Sequence, residues 1–319
     1  MRGTILDANS LGDADLSPVT QLLDDWTVHG ATRPEETYER IQGIDVVLTN
    51  KVVLDAALIE AANALKFIGI MATGTNNVDL DAAKRRGVTV CNAVGYATPS
   101  VAQHTFALIL NLATRQYRYI DDTARGQWHA SDVFCRLDHP IVELSGKTLG
   151  IIGLGELGLA VARLGQAFGM TVLALETQRP SKVDDIARVN LSTLLSESDV
   201  LSLHCPLTDE NIHLINEDTL RQMKRSALLI NTARGALVDS QALLTALDQK
   251  RISGAAIDVL ASEPPTAEEP LLQVRREDLI VTPHNAWGAA ESRARLIDQL
   301  KDNVLAWASG APVRRVFPT

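Results

Sequence analysis

The sharpest chemical signal in the chain is Gly153-Leu154-Gly155-Glu156-Leu157-Gly158. It directly follows the apolar run Leu149-Gly150-Ile151-Ile152 and opens an amphipathic stretch. An acid, Glu176, ends the next apolar run at roughly the 20-residue spacing that a ribose-binding carboxylate requires. A GxGxxG string alone is weak. With a strand before it, a helix after it and the acid in place, it is a dinucleotide fingerprint. The glycines permit a tight turn and close approach of a pyrophosphate, which the free N–H groups and dipole of the helix start then bind. Glu176 would accept hydrogen bonds from the ribose hydroxyls. A carboxylate there repels a 2′-phosphate, so NAD is expected over NADP. Arg179, three residues on, is a side chain that could hold such a phosphate.

Other groups able to do chemistry stand at the ends of further apolar runs. His204-Cys205-Pro206 follows Val200–Leu203, and Thr232-Ala233-Arg234 follows Ala227–Asn231. Asp258 lies at the end of Gly254–Val259, and Pro283-His284 follows Leu279–Thr282. If these runs are parallel strands of one doubly wound sheet, all of these groups share the cofactor edge. Any one of them alone reads as a solvated loop residue or a satisfied core polar group. Together they suit hydride transfer between a nicotinamide and a carbonyl. The carbonyl oxygen needs a proton donor, and histidine is matched to neutral pH. A keto acid needs its carboxylate fixed, which the forked, permanently charged arginine does. The histidine needs an acid to orient it. Glu263, beside Pro264 and Pro265, is a candidate, although from spacing alone a surface acid before a proline-rich loop reads equally well.

The elements that must position these groups follow from the hydropathy pattern. Short apolar runs alternate with amphipathic stretches, as in parallel strands joined by crossover helices. In the first third, strands are expected at Thr4–Leu6, Asp45–Leu48, Lys66–Ile70 and Val88–Cys91. Helices are expected at Pro34–Gln42, Asp55–Ala62 and Asp79–Arg86. Thr98-Pro99-Ser100 opens a long apolar helix, with proline near its start. Residues 114–145 read as an irregular, polar connecting arm. A second α/β unit starts near Gly146, with added strands at Thr148–Gly153 and Thr171–Leu175. Helices fit Glu156–Phe168, Leu191–Glu197, Glu217–Lys224 behind Asn216, Gln241–Gln249 behind Asp239-Ser240, and Ala289–Ala308.

Composition narrows the classes. The 319 residues suggest two domains at ~150 residues each. Charged residues are 22% and hydrophobic ones 46%, which excludes a disordered chain. A net charge of −9 and 4% aromatic residues argue against nucleic acid as the partner. Three scattered cysteines build neither a disulfide framework nor a zinc site, and no metal-ligand spacing is present. No apolar run approaches the ~20 residues that span a bilayer, and the N-terminus has no signal core, so the expected compartment is the cytoplasm, away from membranes. His104 on its apolar helix reads as a satisfied packing residue and Cys205 as a small filler.

Asn231-Thr232-Ala233-Arg234-Gly235, Asp258-Val259 with Glu263-Pro264, and Thr282-Pro283-His284 resemble the three signature segments of the D-isomer-specific 2-hydroxyacid dehydrogenases, in family order behind Gly153–Gly158. The segments from Ala72 to Asp79 and from Asn92 to Gln103 also look like that family. The resemblance implies that Arg234 binds substrate carboxylate and carbonyl, that His284 is the proton donor, and that Glu263 pairs with it. It implies that Ala72, Thr73 and Gly74 hold the carboxylate through backbone N–H groups. It places Asp258 on the nicotinamide carboxamide and His284 and Val101 on the nicotinamide side. Thr232, Ala233, Glu156, Leu157 and Gly288 would line the cofactor, and His204, Cys205 and Pro206 would flank the adenosine.

The implied architecture is two Rossmann-like, doubly wound parallel-sheet α/β domains, the cofactor domain inserted into the substrate domain. Residues 1–99 would be the first part of the substrate domain, 100–285 the NAD-binding domain, and 286–319 a C-terminal helix returning to the first, with the catalytic cleft between the domains. A homodimer is expected, joined in part by the arm at 114–145. Asn50-Lys51, Gly95-Tyr96-Ala97-Thr98, Val101–His104 and His284-Asn285-Ala286-Trp287 look like the glycerate dehydrogenases, also called hydroxypyruvate reductases. The loop Ala72–Asn77 carries no Arg or Lys for a substrate phosphate, and no regulatory domain is expected after Thr319, both of which count against a phosphoglycerate dehydrogenase. Trp287 is either a wall of a small substrate pocket or a packing residue. Glu in place of the commoner Asp at 176, and Asn285 after His284, depart from the family pattern. The alternatives are an NADH-sensing, protein-binding module of the same fold and a D-lactate- or phosphite-type dehydrogenase.

Overall fold

The computed structural model describes residues 1–177 and 185–317. Two compact units divide the chain: Met1–Ala97 with the segment from Trp287 onward, and Thr98–Ala286.

The first unit is a five-stranded parallel sheet built from β1 (Arg2–Ile5), β2 (Asp25–Val28), β3 (Val46–Thr49), β4 (Phe67–Ile70) and β5 (Thr89–Cys91), in the order β2-β1-β3-β4-β5. Helices α1 (Ser17–Thr20), α2 (Pro34–Ile41), α3 (Ala56–Ala61) and α4 (Leu80–Arg85) connect them. β3 and β4 are buried at every residue, which is why they read as unbroken apolar runs rather than alternating ones. Asp55 and Asp79 start α3 and α4 by accepting hydrogen bonds from Leu58 N and Ala82 N. β2 has no apolar pattern to announce it. It is an edge strand paired to β1 in register Gly3↔Trp26, and the missing side chain of Gly3 admits the Trp26 ring, since a Cβ there would lie 2.6 Å from Cε3.

The second unit opens with α5 (Thr98–Thr114) and α6 (Gln116–Ala124), so the arm expected to be irregular contains a helix. Its seven strands are β6 (Thr148–Ile152), β7 (Thr171–Leu175), β8 (Ala187–Val189), β9 (Val200–Leu203), β10 (Leu228–Asn231), β11 (Gly254–Ile257) and β12 (Leu279–Val281). Between them run α7 (Glu156–Ala167), α8 (Leu191–Glu197), α9 (Glu217–Gln222) and α10 (Ser240–Asp248). All strands are parallel, in the order β12-β11-β10-β9-β6-β7-β8, so the winding reverses between β6 and β9. Two apolar clusters cover the two sheet faces. Phe106, Ile109 and Leu112 of α5 lie on one and Leu220, Leu243 and Leu247 on the other. Arg179 lies in the segment 178–184, outside the described residues.

The last helix, α11 (Ala290–Ala308), belongs to the first unit. Its Leu296, Ile297, Leu300 and Val304 complete a core with Ile5, Leu48 and Phe67. Trp287 packs edge-on to Tyr96 at 6.4 Å in the same cluster. Among the described residues no helix is long and apolar enough to cross a membrane.

Candidate active site

In the second unit, the turn between β6 and α7 lies at the point where the winding reverses, the place where open α/β sheets bind ligands. Its three glycines have different physical roles. Gly153 adopts φ +98°, and a Cβ on it would meet Cys205 N and the His204 carbonyl carbon at 2.6 Å, so the loops leaving β6 and β9 touch here backbone to backbone. A Cβ on Gly158 would sit 2.0 Å from Gly153 O, so only glycine lets the helix approach the turn that closely. At Gly155, the N-cap of α7, a Cβ would meet nothing within 4 Å. That open space sits before the first N–H groups of the helix (Glu156, Leu157 and Gly158), which have no intrahelical acceptor. The cradle therefore fits a pyrophosphate. The Glu156 side chain points elsewhere, accepting from Thr98 Oγ1 at 2.6 Å.

Glu176 is exposed just past the end of β7, and its N–H bonds to Val189 O at 2.9 Å. His204 follows β9. Its Nε2 lies 2.8 Å from Ser202 Oγ, and its Nδ1 is buried with no partner among the described residues. Burial holds its pKa down to about 4, so the ring is neutral. The adjacent Cys205 is half-buried, and desolvation pushes its thiol pKa up. Val101 is buried in α5.

The turn after β10 carries Thr232, Ala233 and Arg234. The buried Asn231 ties it, accepting from Ala233 N at 3.0 Å and donating to Arg234 O at 2.9 Å. Arg234 is half-buried, with Nη1 2.7 Å from Ala233 O. A Cβ on Gly235 would lie 1.9 Å from the carbonyl carbon of Leu260 and 2.3 Å from Ala261 N. The Arg234 turn is thus pressed against the loop after β11. On that loop Glu263 accepts from Leu260 N through Oε1 at 2.9 Å, and its Oε2 lies 2.5 Å from His284 Nδ1. A carboxylate only accepts, so Nδ1 carries the hydrogen and Nε2 is the nitrogen left for exchange.

His284 sits at φ +51°, which is uncommon for a side-chain-bearing residue. Its N–H bonds to Asp258 O at 2.8 Å, and the Asp258 carboxylate clamps the residues around it. Oδ1 accepts from Thr282 Oγ1 at 2.5 Å and Asn285 N at 3.1 Å, and Oδ2 from Ala286 N at 3.0 Å. Burial raises the Asp258 pKa. Hydrogen bonds from His104, Thr282 and Ala286 more than offset it, so the group is held below the ordinary carboxylate range.

In the first unit, Ala72-Thr73-Gly74 follows β4. Ala72 O accepts from Ala93 N at 3.1 Å, and Asn92 Nδ2 donates to Thr73 O at 2.8 Å. The N–H groups of Thr73 and Gly74 donate no hydrogen bond among the described residues. Gly288 precedes α11, where its carbonyl accepts from Arg293 Nε at 3.1 Å.

A family profile described as "D-isomer specific 2-hydroxyacid dehydrogenase, NAD binding domain" matches residues 106–286. The chain belongs to that family. It is 44% identical over 279 residues to a glycerate dehydrogenase of Methylorubrum extorquens, covering 88% of this chain and 87% of the relative. It is 35% identical to a hydroxypyruvate reductase of Blautia hydrogenotrophica, with 99% of each covered. Among solved structures it is similar to an NADPH-dependent glyoxylate/hydroxypyruvate reductase of Sinorhizobium meliloti with NADP and malonate bound. There the TM-score is 0.84 at 25% identity, with 99% of this chain and 96% of the other covered.

This D-2-hydroxyacid dehydrogenase is therefore an oxidoreductase acting on CH–OH donors. Within the second unit the fold brings Glu263 and His284 into contact and presses the Arg234 turn on the Glu263 loop. His104, expected from the sequence to be a satisfied packing residue, has its partners on the loop that carries His284 and at the end of β11. Its Nε2 lies 3.2 Å from Thr282 Oγ1 and 3.4 Å from Asp258 Oδ1. The available signal was the presence of Ser100, His104 and Thr105 among the apolar residues of a largely buried helix.

Proposed function

We propose that this dehydrogenase interconverts a short 2-keto acid, hydroxypyruvate or glyoxylate, and the corresponding D-glycerate or glycolate. In this reading it works with NAD(H) and uses His284 as the proton donor in reduction. The observation that carries the reading is the 2.5 Å His284–Glu263 pair beside the Arg234 turn. Glu263 orients the ring through Nδ1, which leaves Nε2–H to protonate the carbonyl oxygen. Arg234 binds the substrate carboxylate and polarises the carbonyl. The glycine cradle at 153–158 holds the pyrophosphate, and the bound nicotinamide supplies the hydride. Support for a small, unphosphorylated substrate comes from the loop Ala72–Asn77, which has no Arg or Lys, and from the names of the two relatives. Glu176 favours NADH by repelling a 2′-phosphate.

The test follows NADH absorbance with hydroxypyruvate, glyoxylate, pyruvate and phosphohydroxypyruvate, repeated with NADPH. Rapid loss with hydroxypyruvate or glyoxylate, and NADH faster than NADPH, is the expected result. Binding of NADH without turnover of any keto acid would move the reading to the NADH-sensing module. His284→Ala should abolish turnover and leave NADH binding nearly intact. Arg234→Ala should raise KM and lower kcat together.

The quaternary reading is a homodimer. Support comes from the expected arm at 114–145, where Phe134 is 90% and Leu137 77% exposed and Ile120 and Val133 are exposed as well, apolar side chains that a partner copy would cover. Sedimentation of Phe134→Asp/Leu137→Asp should show a monomer where the wild type is a dimer.

A further inference from the structure

Helix α5 is largely buried, and three of its polar side chains, Ser100, His104 and Thr105, reach the turns that carry the reacting groups. Ser100 and His104 lie one turn apart on one face. Ser100 Oγ donates to Ala286 O at 2.6 Å. His104 Nε2 faces Thr282 Oγ1 and Asp258 Oδ1 at 3.2 and 3.4 Å. Thr105 Oγ1, fully buried, lies 3.2 Å from Thr232 Oγ1 on the turn leading to Arg234.

Counting hydrogens fixes the direction of the His104 contact. The single hydroxyl hydrogen of Thr282 goes to Asp258 Oδ1 at 2.5 Å. Thr282 Oγ1 can then only accept, and a carboxylate only accepts, so His104 Nε2 must carry a hydrogen and donate. The recipient is a carboxylate with no solvent exposure, which stays ionised only while donors surround it. That carboxylate gathers Thr282, Asn285 N and Ala286 N around His284, whose left-handed backbone persists only if its surroundings over-determine it.

We propose that His104 is a positioning residue: it donates to the Thr282–Asp258 pair and thereby fixes the Thr282–Ala286 turn on which His284 sits. The catalytic half of this statement rests on the function proposed above. The positioning half does not.

The experiment compares His104→Leu, which keeps bulk and removes the donor, with His104→Gln, which keeps a side-chain N–H. Each is read by kcat, by KM for NADH, by melting temperature, and by the downfield proton NMR signal of the His284 Nδ1–H bonded to Glu263. Leu is expected to lower kcat by roughly 10- to 100-fold, the scale of a misplacement of about 1 Å. KM for NADH should change less than about threefold, and the His284 signal should broaden or vanish. Gln should restore both kcat and the signal. If Leu keeps wild-type kcat and signal, or if Gln fails to rescue either, His104 merely packs and the proposal is overturned. If Leu does not fold, His104→Asn replaces it: one methylene shorter than Gln, it should lose what Gln keeps, and equal behaviour of the two would overturn the proposal. A wild type inert toward every keto acid would sink the proposed function alone, because the NMR signal reads the position of His284 without turnover.

Discussion

Replacing Gly155 and Gly158 by alanine, one at a time, separates the two physical demands of a fingerprint that is usually read as one motif. Gly155 has φ −80° and ψ −162°, which any residue adopts, and open space where a Cβ would go. Gly155→Ala therefore should fold. Alanine is a poorer N-cap than glycine by up to about 1 kcal/mol, and for a unit of this size that lowers Tm by about 2–4 °C. The methyl group would, however, occupy the space in front of the free N–H groups of α7. Losing one charge-assisted hydrogen bond to a pyrophosphate costs about 1.5–3 kcal/mol, so Kd for NADH should rise roughly 10- to 100-fold. Gly158→Ala has the opposite profile. Its Cβ would stand 2.0 Å from Gly153 O, where real contacts do not fall below 3.0 Å. Helix and turn must separate by about 1 Å, an overpacking cost of about 1–3 kcal/mol or more. Tm should fall by several degrees whether or not cofactor is present. The assay is thermal unfolding without ligand, paired with NADH fluorescence titration. Wild-type NADH affinity in Gly155→Ala would refute the cradle, and an unchanged Tm in Gly158→Ala would refute the packing argument.

Two further outcomes follow from the same geometry. Gly235→Ala places a Cβ 1.9 Å from the Leu260 carbonyl carbon, pushing the Arg234 turn off the Glu263 loop. Turnover should drop about 100-fold with NADH affinity kept within about threefold, in steady-state assays beside a binding titration. His204 has a folded-state pKa lowered by burial to about 4 from 6.5, so above pH 6.5 it contributes nothing to pH dependence. As pH falls below 6.5 the unfolded chain takes up this proton first. Stability is then lost progressively toward pH 4, by up to about 3 kcal/mol. Urea unfolding of wild type and His204→Gln at pH 7 and pH 4.5 should show a smaller acid loss in the variant, and equal losses would remove His204 from the account.

The buried strands and the glycine turn were legible in the sequence because their physics is local. β4, β6 and β9 each contain a buried run of four residues, and the turn after β6 needs its glycines whatever else surrounds it. The edge strand β2 was not legible, since Asp25-Trp26-Thr27-Val28 is mostly exposed and is fixed by pairing to β1 and by the room that Gly3 leaves. Glu263 could not be told from a surface acid until the fold set its carboxylate against His284. His104 was read as packing for the same reason. Its partners are Thr282 and Asp258, far along the chain, and nothing near it in sequence announces a donor with a carboxylate to serve.

The second unit leaves and rejoins the chain at neighbouring points. Ser100 Oγ, just past its start, donates to the carbonyl of its last residue, Ala286, at 2.6 Å. In the first unit, Tyr96 and Trp287 stack edge to face, and Ser292 Oγ and Arg295 Nε both donate to Tyr96 O. An unfolded insert spanning residues 98–286 would oppose that closure with the entropy of a very long loop. A folded insert whose ends already meet acts as a short tether. The first unit can then recruit α11 as though the two halves of its sequence were adjacent. Loop entropy thus favours folding of the middle of the chain before closure of the first unit, since the folded insert brings the beginning and the end together.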